Sequence, residues 1–247
     1  MNQLTAAIEK TIRSLQQKKY RKNHQLFVLE GEKLVKEAFD SDFVVKWLVS
    51  TQDQNEAIYS TASFLKCDPT QMKRISSLTT APGILAVVET PRLFKVEQEE
   101  LILVLEKIQD PGNLGTIIRT ADAFGIKTIV CSPDTVDFFS PKVVQATMGS
   151  IFRVKVVEKE LIGFLKEQAK TSRLYAADLS GENIYNTSLK TPAILIMGNE
   201  SHGISDEVME LIHESVKIPI AGGAESFNVS IATAILLGEF RRQLSWQ

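Results

Sequence analysis

The sequence of 247 residues contains few cysteine and histidine residues, two and three respectively. Cys67 and Cys131 lie far apart and lack the spacing of metal ligands. In a reducing compartment, two such cysteines are plain thiols. A disulfide framework is therefore excluded, and we expect no metal site.

Long apolar runs are also missing. No segment reaches the roughly 20 residues that a bilayer-spanning helix needs, and the N-terminus lacks the charged-then-apolar pattern of a signal peptide. We therefore expect a cytoplasmic protein that does not contact a membrane. With 44% hydrophobic and 23% charged residues, the composition is that of a globular chain long enough for two modest domains.

Net charge is small, at −2, which argues against nucleic-acid binding through bulk electrostatics. The distribution of charge is more informative. Residues 1–95 contain 14 Lys and Arg against 10 Asp and Glu, whereas residues 96–247 contain 14 against 20. Any contact with RNA should therefore begin in the N-terminal part.

Basic and aromatic side chains follow a predicted N-terminal helix over 5–17. This run predicts RNA contacts at five consecutive residues: Lys18, Lys19, Tyr20, Arg21 and Lys22. The alternative is a solvated helix end whose cations complement the helix dipole. Charge alone favours neither interpretation.

Two α/β domains are predicted, one over 1–95 including a linker and one over 96–247. Strands at 25–29, 43–49 and 84–88 and a helix at 30–39 form the smaller N-terminal domain. In the second domain, strands are predicted at 101–105, 127–131, 151–157, 173–177, 193–197 and 215–220, and helices at 114–124, 140–147, 159–170, 205–213 and 228–243. This alternation indicates a doubly wound parallel sheet with helices on both faces.

The two commonest phosphate-binding loops are missing, because residues 110–115 fit neither G-x-G-x-x-G nor the P-loop. Asp134 lies at a distance suited to a ribose contact, but that spacing is weak support for a nicotinamide enzyme. A cofactor without phosphates needs apolar walls and backbone groups instead. Side chains and backbone of this kind are predicted at Met197, Gly198, Ile218, Ile220 and Phe227.

Three motif-bearing segments follow in order along the second domain. They are N-x-G-x-x-x-R-T-A-x-x-F-G within 113–125, G-N-E-x-x-G at 198–203, and I-P-I followed by E-S-x-N-V-S within 218–230. Their order over residues 101–247 resembles the SpoU, or TrmH, family of RNA ribose 2′-O-methyltransferases. The N-terminal segment, over residues 15–89, is similar to the substrate-binding domain of many SpoU-family enzymes, which resembles ribosomal protein L30e.

The resemblance implies features that the residue pattern does not predict. It implies a trefoil knot in the C-terminal domain, although general topology rules would exclude one. It also implies that the segments ending in Gly198 and Asn228 hold S-adenosylmethionine. Phe227 stands where the family usually has leucine, and Ser201 where it often has glycine.

Catalytic residues are assigned through the same resemblance. Arg119 matches the family's catalytic arginine, whereas spacing alone would favour a surface pair with Asp122. Because guanidinium stays protonated, Arg119 is better suited to stabilising charge than to acting as a base. Four further residues are assigned positioning roles within the catalytic site: Asn113, Glu200, Ser226 and Asn228. His202 lies where the family varies, and we expect a loop role for it.

The sequence therefore predicts an S-adenosylmethionine-dependent methyltransferase that acts on a ribose 2′-hydroxyl of structured RNA, with ribosomal RNA preferred over transfer RNA. The alternative is a non-catalytic RNA-binding or ribosome assembly factor that kept the fold. Apolar residues surround the predicted helix from Asn228 to Arg242, so we expect a homodimer formed through the C-terminal domain.

Overall fold

A computed structural model describes residues 2–53, 59, 62–91 and 95–244. The chain forms two compact units, Met1–Arg92 with Asp137–Arg153, and Leu93–Val136 with Val154–Gln247. Residues 137–153, which the sequence analysis grouped with the second domain, therefore belong to the first compact unit. Residues 92–94 of the predicted linker lie outside the described residues.

The first unit is built on a mixed five-stranded sheet in the order β1-β4-β3-β5-β2. Its strands are β1 (Asn2–Gln3), β2 (Leu26–Glu30), β3 (Val45–Ser50), β4 (Ser63–Lys66) and β5 (Ile84–Glu89). Its helices are α1 (Ala6–Ser14), α2 (Lys18–His24), α3 (Glu32–Phe39), α4 (Pro69–Ile75) and, from the later segment, α6 (Pro141–Thr147). The predicted α/β character is confirmed, but β4, α2 and α4 were not predicted.

A local signal marked α4. Asp68 and Gln71 form a capping box in which each side chain bonds the other's backbone N–H, and Pro69 occupies the first helical position. The motif Asp-Pro-x-Gln is therefore a helix start that the sequence analysis overlooked.

Alternating residues of the sheet pack against helices on opposite faces. Leu26 and Val28 lie in one core with Ile12 of α1 and Met72 of α4. Phe27 and Leu29 point the other way, and their core includes Leu34 of α3 and Val144 of α6. A strand buried on both faces has this continuous apolar sequence because each residue meets a helix layer.

The second unit contains a six-stranded sheet in the order β11-β9-β10-β6-β7-β8, and all its strand pairs are parallel. Its strands are β6 (Leu101–Leu105), β7 (Thr128–Cys131), β8 (Lys155–Glu158), β9 (Arg173–Asn183), β10 (Ala193–Met197) and β11 (Glu214–Lys217). Its helices are α5 (Pro111–Ala123), α7 (Leu161–Gln168), α8 (Asp206–Met209) and α9 (Val229–Leu244).

Helices cover both faces of this sheet, as predicted. Leu161 and Leu165 of α7 lie in one core with Ile102 and Ile194 of the sheet. On the other face, the Tyr175 ring meets Phe240 of α9 edge-on at 5.4 Å between centroids. The parallel α/β architecture is confirmed.

Several predicted element boundaries differ from the structure. The strand predicted at 151–157 begins as a 3₁₀ turn, Ser150–Phe152, and becomes extended only at Lys155. The helix predicted at 205–213 has four residues, Asp206–Met209. Helix α5 begins at Pro111 rather than after Asn113, because the Asp110 carboxylate accepts from the Asn113 backbone N–H and caps it.

Both cysteines are free and buried, in agreement with their assignment as plain thiols. Burial raises the pKa of the Cys67 thiol to about 11. Within the described ranges, no cluster of three or more His, Cys, Asp or Glu residues is placed to hold a metal ion. None of the helices in those ranges is long and apolar enough to cross a membrane.

Candidate functional site

Strand β10 ends at Met197 and is followed by a tightly folded loop. A Cβ atom on Gly198 would lie 2.3 Å from the carbonyl carbon of Gly203 and 2.5 Å from the nitrogen of Ile204. Two backbone hydrogen bonds of 2.9 Å join Asn199 to Gly203. Only glycine fits at position 198, because its neighbours there are backbone atoms that cannot rotate away.

Two polar side chains hold this loop against the end of β6. The Asn199 amide donates to the carbonyl oxygen of Lys107 at 2.9 Å, and its Oδ1 accepts from the Ser201 backbone. The buried Glu106 carboxylate accepts from the backbone N–H of Ser205 at 2.9 Å. Neither Asn199 nor Glu106 was predicted from the sequence, although an acidic residue that ends an apolar strand was a visible signal.

A hydrogen-bonded chain joins the three motif-bearing segments. The Asn228 amide donates to Asn113 Oδ1 at 3.0 Å, and the Asn113 amide donates to Glu200 Oε1 at 2.8 Å. Asn228 Oδ1 also accepts from the Ser230 backbone N–H at 2.9 Å, at the start of α9. Asn228 therefore caps this helix.

A cavity of about 410 Å³ lies beside these hydrogen-bonded residues. It is lined by seven of the predicted site residues: Met197, Gly198, Glu200, Ile218, Ile220, Ser226 and Phe227. Asn228 is not among the lining residues and instead bonds Asn113 behind them. Five of the six residues assigned to the methyl donor thus surround one space, namely Met197, Gly198, Ile218, Ile220 and Phe227, and the sixth, Asn228, does not line it.

Residues from β9 and β11 complete the cavity lining and were not predicted. Asp178 and Leu179 come from β9, and Lys217 from the end of β11. Strand β9 continues to Asn183, well beyond the predicted end at 177, and β11 passes close beside it. At Gly181, a Cβ atom would lie 2.5 Å from the Ser215 carbonyl carbon, so this glycine was the signal in the sequence.

Arg119 lies on α5 with an exposed side chain and is not among the residues lining the cavity. Within the described part of the chain, no hydrogen bond or ion pair includes its guanidinium. The surface pair with Asp122 that spacing favoured is therefore not formed. His202 lies in the loop after Gly198, where its backbone N–H bonds Asn199 Oδ1 at 3.2 Å.

The predicted RNA contacts lie on helix α2, and one of them needs correction. Lys18, Lys19, Tyr20 and Lys22 are exposed or half-buried. Arg21 is 4% exposed, and its guanidinium donates to Asp137 Oδ2 at 2.5 and 2.9 Å and to the Leu15 carbonyl at 2.6 Å. Because all of these donors point inward, Arg21 secures the helix and does not face a ligand.

Comparison with known proteins matches both parts of the chain. Residues 100–238 match the SpoU rRNA Methylase family, and residues 8–86 match the MRM3-like substrate binding domain. The chain belongs to the SpoU rRNA methylase family. The resemblance found in the three motifs is confirmed.

Similar proteins cover nearly the whole chain. A protein of Bacillus subtilis named 23S rRNA (guanosine(2553)-2′-O)-methyltransferase RlmP is 32% identical, over 98% of this chain and 100% of its own length. Among solved structures, an AdoMet-bound rRNA methyltransferase from Sinorhizobium meliloti superposes with a TM-score of 0.88 at 33% identity, covering 99% and 97% of the two chains. A TrmH-family chain from Porphyromonas gingivalis has a TM-score of 0.91 at 40% identity, covering 97% and 99%.

Proposed function

We propose that this protein transfers a methyl group from S-adenosylmethionine to a ribose 2′-hydroxyl of ribosomal RNA. The observation that carries the proposal is the convergence of three motifs on one place. The Asn228–Asn113–Glu200 chain links them, and the cavity opens beside it. Family membership supports the reaction class, and the relative from Bacillus subtilis is named for methylation of 23S rRNA.

The cavity fits the chemistry of the methyl donor. Its volume of about 410 Å³ falls within the roughly 300–1,000 Å³ of small-molecule sites. Ile218, Ile220 and Phe227 offer apolar surface for a base, and the backbone at Gly198 offers polar groups for its edge. Asp178 and Lys217 provide one charge of each sign, which suits a ligand that carries both an ammonium and a carboxylate.

S-adenosylmethionine supplies a methyl group on a sulfonium, so the transfer needs no metal. The chain's own residues must position the attacking hydroxyl and manage its proton. Glu200 is held through one oxygen by the Asn113 amide, and Asn113 is in turn held by Asn228. The remaining acceptor capacity of the Glu200 carboxylate is available to a hydroxyl, which it can orient for attack.

Arg119 is suited to stabilising the developing alkoxide. Its guanidinium is exposed and has no partner among the described residues, so its positive charge is available to the RNA. A guanidinium stays protonated in proteins, which excludes it as a proton acceptor. Ser226 lines the cavity beside Phe227 and contributes a hydroxyl to its rim.

Recognition of the RNA is assigned to the first unit. The match of residues 8–86 to a substrate-binding domain supports this assignment. Lys18, Lys19, Tyr20 and Lys22 supply cations and an aromatic ring on α2, as the composition of the N-terminal part favoured. An enzyme that modifies ribosomal RNA works where ribosomes are assembled, so we also propose a cytoplasmic location.

A homodimer formed through the C-terminal unit belongs to the same proposal. Helix α9 buries Val229, Leu236 and Phe240 on one side, whereas Ile231 is 50% exposed and Ile235 is half-buried. An apolar side chain exposed along a core helix favours a second copy as its cover. The trefoil knot implied by the family resemblance remains a prediction for this chain.

Methyl transfer is tested directly by incubating the purified protein with tritiated S-adenosylmethionine and unmodified ribosomal and transfer RNA. We expect label in 23S rRNA at a single ribose, located by resistance of the adjacent phosphodiester to alkali. Label in tRNA alone would reassign the substrate. If no RNA is labelled while RNA still binds, the protein is a non-catalytic RNA-binding factor and the proposal is wrong.

A further inference from the structure

The first unit contains a second cavity, of about 440 Å³, between helix α1 and helix α2. We call it the α1–α2 groove. Its lining residues are Lys10, Thr11, Arg13, Ser14, Gln17, Tyr20 and His24. Only Tyr20 among them belongs to the predicted RNA contacts, so the groove is a separate feature of this surface.

Helical spacing explains how α1 presents this surface. Ile12 and Leu15 are fully buried in the core below, and Ile8 packs against it. Lys10 and Arg13 are three residues apart on α1, so they share the opposite, solvent-facing stripe, and the exposed Gln17 directly precedes α2. The groove is therefore bordered by two cations whose ammonium and guanidinium face water.

Charge in the groove is of one sign. None of the lining residues is acidic, and neither Lys10 nor Arg13 forms an ion pair with a carboxylate in the part of the chain that the structure describes. The nearest acid on α1, Glu9, is bound by the Arg74 guanidinium through two hydrogen bonds of 2.7 and 3.0 Å. With that acid neutralised, the groove favours an anion.

Aromatic rings form the opposite wall. Tyr20 and His24 are one helical turn apart on α2, and their rings lie nearly parallel, with centroids 6.5 Å apart and an interplanar angle of 21°. Tyr20 is 36% exposed, so part of its ring remains accessible. A flat aromatic surface beside two cations suits a ligand with a planar ring and a phosphate.

We propose that the α1–α2 groove binds one unpaired nucleotide of the RNA, with its base stacked on Tyr20 and its phosphate held by Lys10 and Arg13. The Thr11 and Ser14 hydroxyls donate to backbone carbonyls of α1, so their oxygens are left to accept from the sugar, and the exposed Gln17 amide offers a donor and an acceptor to a base edge. This inference rests on the proposed function, because it assumes that RNA is the substrate. It adds a preference for single-stranded over double-stranded RNA, since a base inside a duplex cannot stack on a protein ring.

The test measures binding of a labelled single-stranded oligouridylate and of a duplex RNA of the same length, without S-adenosylmethionine. Replacing Tyr20→Leu should weaken oligouridylate binding by roughly five- to a hundredfold, the usual effect of losing one stacked base, while duplex binding changes little. Tyr20→Phe should restore binding, because the ring is retained. If Tyr20→Leu binds both RNAs as the wild type does, the groove is not a nucleotide site.

The phosphate interaction is tested by a double variant, Lys10→Gln with Arg13→Gln. The slope of log affinity against log salt should fall by roughly 0.7 for each phosphate that the variant no longer neutralises. A matched control is Lys33→Gln with Lys36→Gln, which removes the same charge from exposed positions on α3, on the other face of the sheet. An equal effect of the control would overturn the proposal, as would polyglutamate competing as well as the oligouridylate.

Because these measurements omit the methyl donor, they are independent of the reaction. A protein that binds oligouridylate through Tyr20 but labels no RNA retains the groove and loses the proposed methyl transfer. A protein that methylates RNA with unchanged oligouridylate binding in the Tyr20→Leu variant retains the reaction and loses the groove.

Discussion

Gly198 shows how one missing side chain shapes the candidate site. The loop from Gly198 to Gly203 folds back so closely that the two backbones touch where a Cβ would be. This approach brings Met197, Ile204 and the Glu200 carboxylate to the same cavity. The geometry of the cavity therefore depends on a residue that has no side chain.

Replacing Gly198→Ala should weaken S-adenosylmethionine binding by about tenfold or more, because the added Cβ displaces backbone at Gly203 and Ile204. Isothermal titration calorimetry measures the change. The control is Gly83→Ala in the first unit, where an added Cβ would have only an ordinary contact of 3.5 Å with Thr51 and binding should be unchanged. Equal affinities of the Gly198→Ala variant and the wild type would show that the donor does not use this loop.

A second single-residue variant distinguishes a role in the methylation step from a role in cofactor binding. The variant Arg119→Ala should bind S-adenosylmethionine as well as the wild type, because the arginine does not line the cavity. Its single-turnover methylation rate should fall by roughly two orders of magnitude or more if it supplies one preorganised electrostatic contact. Lys166→Ala, an exposed cation on α7, is the control. Methylation at the wild-type rate would remove Arg119 from the catalytic assignment.

At the scale of elements, helix α2 contains one buried cation with a structural role, whereas its other cations lie at the surface. Arg21 reaches inward to Asp137 and to the Leu15 carbonyl, and thereby joins the 137–153 segment to the N-terminal part of the first unit. Side-chain exposure is 5% for Arg21 and 14% for Asp137, so water screens this pair little.

Removing the partner of a buried charge is costly, and Arg21→Ala should lower the free energy of unfolding by about 3–5 kcal/mol. Urea unfolding followed by circular dichroism measures this change. Lys19→Ala, two residues earlier and exposed, should leave stability within experimental error. A similar midpoint for Arg21→Ala and the wild type would mean that the ion pair does not anchor α2.

The surface cations of α2 should contribute to RNA binding. In the triple variant Lys18→Gln, Lys19→Gln and Lys22→Gln, the salt dependence of RNA binding should become shallower, because fewer counterions are released from the phosphates. S-adenosylmethionine affinity serves as the internal control and should not change. Filter-binding titrations over a range of salt give the slope, and an unaltered slope would favour the solvated-helix interpretation of this run.

The whole molecule consists of two compact units, and we propose RNA recognition for the first and methyl transfer for the second. The second unit holds the three motifs and the cavity, and the first holds the excess of positive charge. Assembly is a property of this scale, and the half-exposed Ile231 on α9 is the residue that the proposed dimer would cover.

Light scattering at micromolar concentration should give the mass of a dimer. Ile231→Glu should shift that mass to a monomer, because a buried carboxylate without a partner opposes association. The control is Val44→Glu, which alters a residue that is 58% exposed in the first unit and should leave the mass unchanged. A monomeric wild-type protein would contradict the proposed dimer.

The sequence by itself determined the features that depend on residues close together along the chain. Apolar runs and the glycines that end them located β6, β10 and the parallel sheet, and the spacing of three motifs indicated the family. The start of α5 was predicted three residues too late, because Asp110 and Asn113 are both residue types that cap helices and only the folded backbone shows which one accepts the bond.

Only the tertiary structure decided which side chains meet. Arg21 and Asp137 are separated by 116 residues, and Asn228 and Asn113 by 115, so no local pattern relates either pair. Arg21 belongs to a basic and aromatic run of the kind that contacts RNA, but the packing of α2 buries its side chain. Local sequence specifies the strand and helix, whereas contacts between distant segments depend on how the sheet orders its strands, and that order is settled by the packing of the whole unit.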